Sequence, residues 1–434
     1  MPAASASSPR SSAPTGNGEF DDVNINLQRW IDRWAGIPLC AAVSGIDAIV
    51  RTFRKDHDAD KAPRAIVVIL LSEMGSLVLA HDMFARLKQR YPDAPLHALL
   101  FGKNREILDL MKVVDPANVH TVNDKSLGGL LSSLWKAIGE LRRANVDVAI
   151  DCELFSRISS LLSYASGARI RVGFHRHTQE GLYRGSHINR PVPYNPYHHI
   201  SAQFLTLARA IDSTAVPKSK LPANLPVAGA GKPPPHVQLD AALVPGIQAR
   251  LAQDFPAIAG KPLVLVYPGG GILPIRAWPL ASYTALCEGL VADGCAVAVI
   301  GLKDDQALAR QLVANVHTAF PGSPVIDLTG YTRSISELLA LFHIARLLVT
   351  NDGGPGQFAA LTPIWTLMLF GPETPGLYAP LTPQCYSFFS QWPCSPCLTA
   401  YNHRSSYCDG DNQCLKVIAP EAVLAKAREC LAAP

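Results

Sequence analysis

The stretch that most limits what this chain can fold into is residues 347–380, LLVTNDGGPGQFAALTPIWTLMLFGPETPGLYAP. Two short apolar runs, 347–350 and 366–370, read as buried strands. Between them Asn351-Asp352-Gly353-Gly354-Pro355-Gly356 puts flexible backbone where a strand ends, and a short helix is expected over about 357–361. Parallel α/β sheets bind ligands outside the carboxyl ends of their strands, and helix N-termini offer free N–H groups to phosphate. The segment is therefore expected to hold the phosphates of a nucleotide-linked substrate.

The same alternation fills most of the chain. Strands are expected at 65–71, 96–101, 119–122, 146–152 and 169–174, with helices at about 77–90, 105–113, 127–144, 157–165 and 200–211. A second series has strands at 263–267, 296–301 and 325–327 and helices at 280–293, 304–316 and 334–345. Residues 213–246 are dense in Pro, Ala and Gly and include Pro233-Pro234-Pro235, the mark of an interdomain linker. The expected fold is α/β, two doubly wound parallel-sheet domains (63–212 and 247–384) facing a cleft. At 434 residues the chain can bury two such cores.

The ends are different. Residues 1–20 are rich in Ser, Ala and Pro and should be disordered. Residues 21–62 carry apolar positions at helical spacing, divided by Gly36 and Pro38 into two amphipathic helices. With Arg29, Arg33, Arg51, Arg54 and Lys55 on the polar face, they suit either a hairpin packed on the next domain or a membrane-surface element. The N-terminus has no apolar core of the kind a secretory signal needs, so the expected location is the cytoplasm. The longest aliphatic run, 65–71, falls short of the ~20 residues of a membrane span. A formal net charge of +4 gives no case for a nucleic-acid partner.

Two motifs point to chemistry. Pro268-Gly269-Gly270-Gly271 ends the first strand of the second series; its glycines would let backbone approach a ligand, and Arg276 would clamp a phosphate. Together with Asn351, Asp352, Gly353 and Gly354 it makes a candidate nucleotide site. Cys394, Cys397, Cys408 and Cys414, spaced C-x2-C-x10-C-x5-C within the C-terminal segment 385–434, suit a structural zinc or iron. His403 or Cys385 would serve as alternative ligands, and buried free thiols are the other reading.

From residue 64 onward the chain resembles glycosyltransferase family 9, the heptosyltransferase family. The resemblance rests on IVVILLSEMGSLVLAHDMFARLKQRYPDAPL, VYPGGGILPIRAWP, IDLTG with SISELLALFHIARLLVTNDGGPGQFAAL, and MLFGPETPGLYAPL, in that order and spacing. It implies a GT-B-type fold of two Rossmann-like domains and metal-independent, inverting transfer of a sugar, commonly heptose, from an ADP-linked donor to lipopolysaccharide core. It implies Arg276 as the basic residue of the phosphate turn, where Lys is common. Where members carry Gly-Asp at the first turn, the Asp being the proposed base, this chain has Gly75-Ser76; where they often carry His it has Gln357; where many carry Arg or Lys in the first strand it has Leu70.

A Ser hydroxyl cannot accept a proton at neutral pH without its own base. The candidate catalytic residues are therefore Glu73, Ser76 and Asp151, with Glu153 and Asp82 behind them. Donor contacts are expected from Gly269, Gly270, Gly271, Arg276, Asn351, Asp352, Gly353, Gly354 and Gln357. Acceptor contacts are expected from the Arg/His/Tyr-rich tract at Arg176, Tyr183, Arg184 and His198. No catalytic cofactor is expected; the partners are an ADP-sugar and a lipid-linked or envelope glycan, with peripheral attachment to the inner face of the membrane. The rival classes are a non-catalytic binding or scaffold protein and a protein O-heptosyltransferase.

Overall fold

A computed structural model describes residues 32, 34–53, 61–71, 73–154, 156–175, 183–213, 231–271, 273–399, 406 and 408–433. The expected tail, the first of the two N-terminal helices, Arg176, His403 and linker residues 214–230 lie outside the described residues. The second helix is present as α1 (Gly36–Phe53).

The first domain runs β1 (Ile66–Ile69), α2 (Met74–Leu79), α3 (His81–Arg90), β2 (Leu96–Phe101), α4 (Arg105–Met111), β3 (Val119–Val122) and α5 (Leu127–Arg143). It continues through β4 (Val148–Asp151), α6 (Arg157–Ala165), β5 (Ile170–His175), β6 (Arg190–Pro193) and α7 (Ile200–Arg209). The second runs α8 (Leu243–Asp254), β7 (Leu263–Tyr267), α9 (Leu280–Ala292), β8 (Ala296–Gly301), α10 (Gln306–Ala319), β9 (Val325–Thr329) and α11 (Ile335–Ile344). It ends with β10 (Leu347–Asn351), α12 (Gly354–Ala359), β11 (Trp365–Phe370), α13 (Pro375–Tyr378), β12 (Cys385–Phe389), α14 (Gln413–Lys416) and α15 (Pro420–Ala432).

Both sheets are wholly parallel and have one topology. The first is ordered β3-β2-β1-β4-β5-β6 and the second β9-β8-β7-β10-β11-β12, so each reverses direction after its first strand. That reversal opens a crevice at the carboxyl ends of β1 and β4 in one domain and of β7 and β10 in the other.

The central strands are apolar on both faces because helices cover both. Period-2 alternation then sorts their side chains. Ile66 and Val68 of β1 and Leu263, Leu265 and Tyr267 of β7 join one apolar cluster that runs through both domains. Val67 and Ile69 face a separate outer cluster under α5 and α6, and Val264 and Val266 face another under α9, α10 and α15. Each buried aliphatic side chain contributes roughly 1.5–3 kcal/mol. Helix starts follow the sequence: the Ser126 hydroxyl accepts from Gly129 N–H at 3.1 Å, and that of Ser334 accepts from Glu337 N–H at 3.1 Å.

Polar ties also cross between domains. The Glu106 carboxylate of α4 accepts from Ile335 N–H (3.0 Å), Ser336 N–H (2.8 Å) and the Ser336 hydroxyl (2.8 Å), capping α11 from the other domain. Burial opposes its ionisation, but these hydrogen bonds outweigh that and lower its pKa. The described end of the linker runs from Lys232, whose N–H donates to Asp82, to Val237, whose N–H donates to Leu361 O.

Three expectations change. The linker gives way to α8 at Leu243. Cys385 belongs to β12, the edge strand of the second sheet, rather than to a separate Cys-rich segment. And α1 does not bury its apolar face: its protein-facing stripe is Gly36, Cys40, Ser44 and Asp47.

Candidate functional site

The two crevices face each other. The turn after β1 holds Glu73, Gly75 and Ser76, and Ser76 Oγ donates to Glu73 Oε2 at 2.7 Å. Across the gap, the turn after β10 leads into α12, which carries Gln357. A methyl group at Gly75 would come within 2.9 Å of Gln357 Cγ, so glycine is what lets the two turns meet. Gln357 is buried; its Nε2 donates to Tyr378 O at 2.6 Å, while its Oε1 has no hydrogen-bond partner among the described residues.

On the second domain's side, Gly269, Gly270 and Gly271 shape a tight turn. A Cβ on Gly269 would lie 2.6 Å from Asp305 Oδ1, one on Gly270 would lie 2.7 Å from Leu273 O, and Gly271 has φ +60°. Arg276 follows. Its Nη2 donates to Glu373 Oε2 at 2.7 Å, and its Nε lies 3.7 Å from Asp352 Oδ2. Glu373 and Asp352 are both buried, so the guanidinium is fixed at the cleft wall by two carboxylates. Gly353 and Gly354 begin α12 at the same end of the sheet.

Several expected ligand contacts turn out to be internal. Asn351 is fully buried: its Oδ1 accepts from Trp278 N–H (3.0 Å) and the Tyr283 hydroxyl (3.1 Å), and its Nδ2 donates to Pro268 O (3.1 Å) and Gly269 O (3.0 Å). It positions the Gly-rich turn rather than meeting a ligand. Asp151 and Arg184, expected as a base and an acceptor contact, are each 0% exposed and form an ion pair with one another. Arg184 also donates to Ser156 O (2.9 Å), Phe174 O (2.9 Å) and Ser159 Oγ (3.0 Å). Burial pushes the Asp151 carboxyl up against the pull of Arg184. A carboxylate so enclosed cannot reach an acceptor hydroxyl. Glu153 is engaged too, accepting from Leu71 N–H at 2.6 Å. Glu73 is the carboxylate of the turn itself and, like Glu153, is partly exposed.

The acceptor tract is likewise rearranged. The Tyr183 hydroxyl faces α1, 3.4 Å from Ser44 Oγ. His198 takes part through its backbone carbonyl, which accepts from Gln203 Nε2 at 2.7 Å. Its neighbour His199 makes the interdomain contact: Nε2 lies 2.9 Å from Ala379 O, an acceptor, so Nε2 carries the proton and Nδ1 faces Ser201 Oγ at 2.7 Å. Burial lowers its pKa, in keeping with a neutral ring. Sequence reasoning missed His199 and Glu373. Nothing separates His199 from the four other histidines of its tract, but Glu373 was readable as the acidic residue of the Gly/Pro-rich loop closing residues 347–380.

The four candidate metal ligands gather loosely. Cys394 and Cys408 are exposed, Cys397 half-buried and Cys414 buried, all as free thiols. Burial, and then the neighbouring Cys397, Cys394 and Cys408, push the Cys414 thiol up to about 11. Among the described residues no three His, Cys, Asp or Glu side chains are arranged to hold a metal. Ser406 Oγ instead donates to Cys397 Sγ at 3.1 Å.

Two Rossmann-type sheets with opposed crevices, one lined by glycine turns and an anchored arginine, define a GT-B-type glycosyltransferase architecture. Residues 133–407 match the family described as glycosyltransferase family 9 (heptosyltransferase), and the chain belongs to that family. It is 27% identical over 321 residues to lipooligosaccharide heptosyltransferase 2 of Haemophilus ducreyi, covering 74% of this chain and 86% of that one. It is 23% identical over 318 residues to lipopolysaccharide heptosyltransferase 2 of Salmonella typhimurium, covering 73% and 85%. Among solved structures, the ADP-heptose lipopolysaccharide heptosyltransferase II of Escherichia coli superposes with a TM-score of 0.62 at 21% identity, over 85% of this chain and 98% of that one. The family 9 glycosyltransferase of Veillonella parvula gives 0.63 at 17%, over 85% and 97%. The protein is a glycosyltransferase.

Proposed function

We propose that this enzyme transfers heptose from ADP-heptose, with inversion, to a hydroxyl of a lipopolysaccharide core or similar envelope glycan on the cytoplasmic side of the membrane. The observation that carries the reading is the meeting of the two turns, Gly75 against Gln357. It brings the turn that bears Glu73 against α12 of the second domain, whose neighbouring turn bears Arg276, and this supports the reading. The named activities of the curated relatives supply the sugar and the acceptor class.

In this reading Glu73 takes the proton of the acceptor hydroxyl, and Ser76 holds the carboxylate through its hydrogen bond. The acceptor oxygen bonds to the anomeric carbon as the bond from that carbon to the diphosphate oxygen breaks. ADP leaves carrying the electron pair. Arg276 and backbone N–H groups of the turns at Gly269–Gly271 and Gly353–Gly354 stabilise the charge developing on the diphosphate. A guanidinium has five donors, so Glu373 can fix Arg276 without exhausting it. Asp352 beside it completes the clamp.

A calorimetric donor screen tests the assignment. ADP and ADP-heptose should bind, and UDP- and GDP-sugars should bind at least about tenfold more weakly, one bidentate contact's worth. Equal binding of all three, or of none, would remove the donor from the proposal.

A further inference from the structure

Helix α1 is built inside out. Its stripe against the first domain is small and polar. Gly36 lies flat on Arg157, where a Cβ would come within 2.8 Å of Cδ; Ser44 Oγ accepts from Ser186 N–H at 2.9 Å; and Asp47 pairs with Arg171 at 2.7 Å. Just before the helix, Asp32 accepts from Arg157 N–H at 2.9 Å and Ile158 N–H at 3.1 Å, so the segment caps α6. The opposite side is apolar and bare: Leu39 is 51% exposed, Ile46 52%, Ile49 62% and Phe53 83%, with Val50 between them. At 100° per residue these five fall within one arc of the helix. Single exposed apolar residues are ordinary, but a continuous stripe on a helix that could have turned it inward is not.

A second patch lies on the same side of the molecule. α1 packs on α6, and α5 and α6 together cover the outer face of the first sheet, away from the second domain. Trp135, 74% exposed, and Leu131, one helical turn before it, project from α5. Among the described residues the charge on α1 and α5 is mainly basic: Asp47 is buried between Arg171 and Arg51, and Arg51, Lys136, Arg142 and Arg143 are exposed against the single partly exposed Glu140. Lys136 stands exposed beside Trp135.

We propose that the outward faces of α1 and α5 seat the enzyme on an anionic lipid bilayer. The apolar side chains enter the headgroup boundary and the basic residues meet lipid phosphates. The helix has the length and apolarity of a membrane span. Its buried Asp47–Arg171 pair and the Asp32 cap instead tie it lengthwise to a folded domain, so it lies on the bilayer rather than through it. Asp32 and Gly36 sit against the start of α6, beyond the carboxyl end of β4, so the helix begins at the edge of the crevice where acceptor would enter. Only this last benefit rests on the proposed lipid-linked acceptor; the docking face stands on α1 and α5.

The test is vesicle flotation of the full chain with phosphatidylcholine vesicles with and without phosphatidylglycerol, in the absence of donor and acceptor. The wild type should float with the anionic vesicles. The Leu39→Gln/Ile46→Gln/Phe53→Gln variant should lose binding by about tenfold or more, and Trp135→Gln should lose part of it. Those positions are exposed, so melting temperature and ADP binding should be unchanged. A wild type that stays in solution, or a triple variant that floats as well as the wild type, overturns the proposal. So does a concentration-dependent dimer that the triple variant dissolves without any vesicle binding; that result assigns the face to a second copy. Because ADP binding is read separately, failure here and failure of the transferase reading are distinguishable.

Discussion

Asp151 and Asn351 occupy the same place in two sheets of one topology: each is the last residue of the fourth strand, at the point where the strand order reverses. Both are polar, both are fully buried, and neither meets solvent. They differ in what they hold. Asn351 reaches sideways to the backbone of the Gly-rich turn after β7, so its hydrogen bonds shape the donor wall. Asp151 reaches to Arg184, beyond β5, so its charge secures the loop on the far side of the sheet from the Glu73 turn. The donor crevice is thus braced by its own switch-point residue, and the acceptor crevice is not. In its first turn Glu73 and Ser76, the residues proposed above for the chemistry, brace each other.

The contrast can be broken by substitution. The largest effect is expected from Asp151→Asn, which leaves the Arg184 guanidinium buried without a counter-charge and should cost about 3–5 kcal/mol of stability. Chemical denaturation reads that loss, while ADP affinity of the folded fraction should be unchanged. Asn351→Ala strands the buried Trp278 N–H and two turn carbonyls and should cost about 2–3 kcal/mol. Here ADP affinity should fall as well, because the Gly269 turn loses its brace. If ADP binding weakened in the Asp151 variant and not in the Asn351 variant, the assignment of the two residues would be reversed.

A smaller effect concerns the contact between domains. The Glu106 pKa is lower when it caps α11 than when it is free, so its contribution is fully present above the free value. It is lost as pH falls through the lowered one. Glu106→Gln should cost about 1 kcal/mol at neutral pH, since the site is half-exposed. It should also flatten the acid limb of the melting-temperature profile, which thermal scans from neutral to acid pH would check. A variant whose acid limb matched the wild type would place the pH dependence elsewhere.

Much of the fold was legible in the sequence because central parallel strands are continuous apolar runs between helical stretches. Leu96–Phe101, Val119–Val122, Leu263–Tyr267 and Ala296–Gly301 have the expected bounds. Both sixth strands were missed. Arg190–Pro193 contains two prolines, tolerable only at a sheet edge, and Cys385–Phe389 carries a cysteine that drew attention to metal chemistry instead. The position of the site was legible from strand ends and glycine turns. The division of labour within it was not, because a polar residue at a strand end looks the same whether it meets a ligand or, like Asn351 and Asp151, a neighbouring loop. Helix α1 shows a similar limit: periodicity locates two faces without saying which one is covered.

The central claim is that Glu73, held by Ser76, stands in for the aspartate that the family has at the first turn. It is tested most directly by the turnover of Glu73→Gln with ADP-heptose and a core-truncated lipopolysaccharide acceptor, alongside ADP binding by calorimetry. The account predicts a fall in kcat of roughly 10²–10⁴ with ADP affinity unchanged. Near-normal turnover by Glu73→Gln would contradict it.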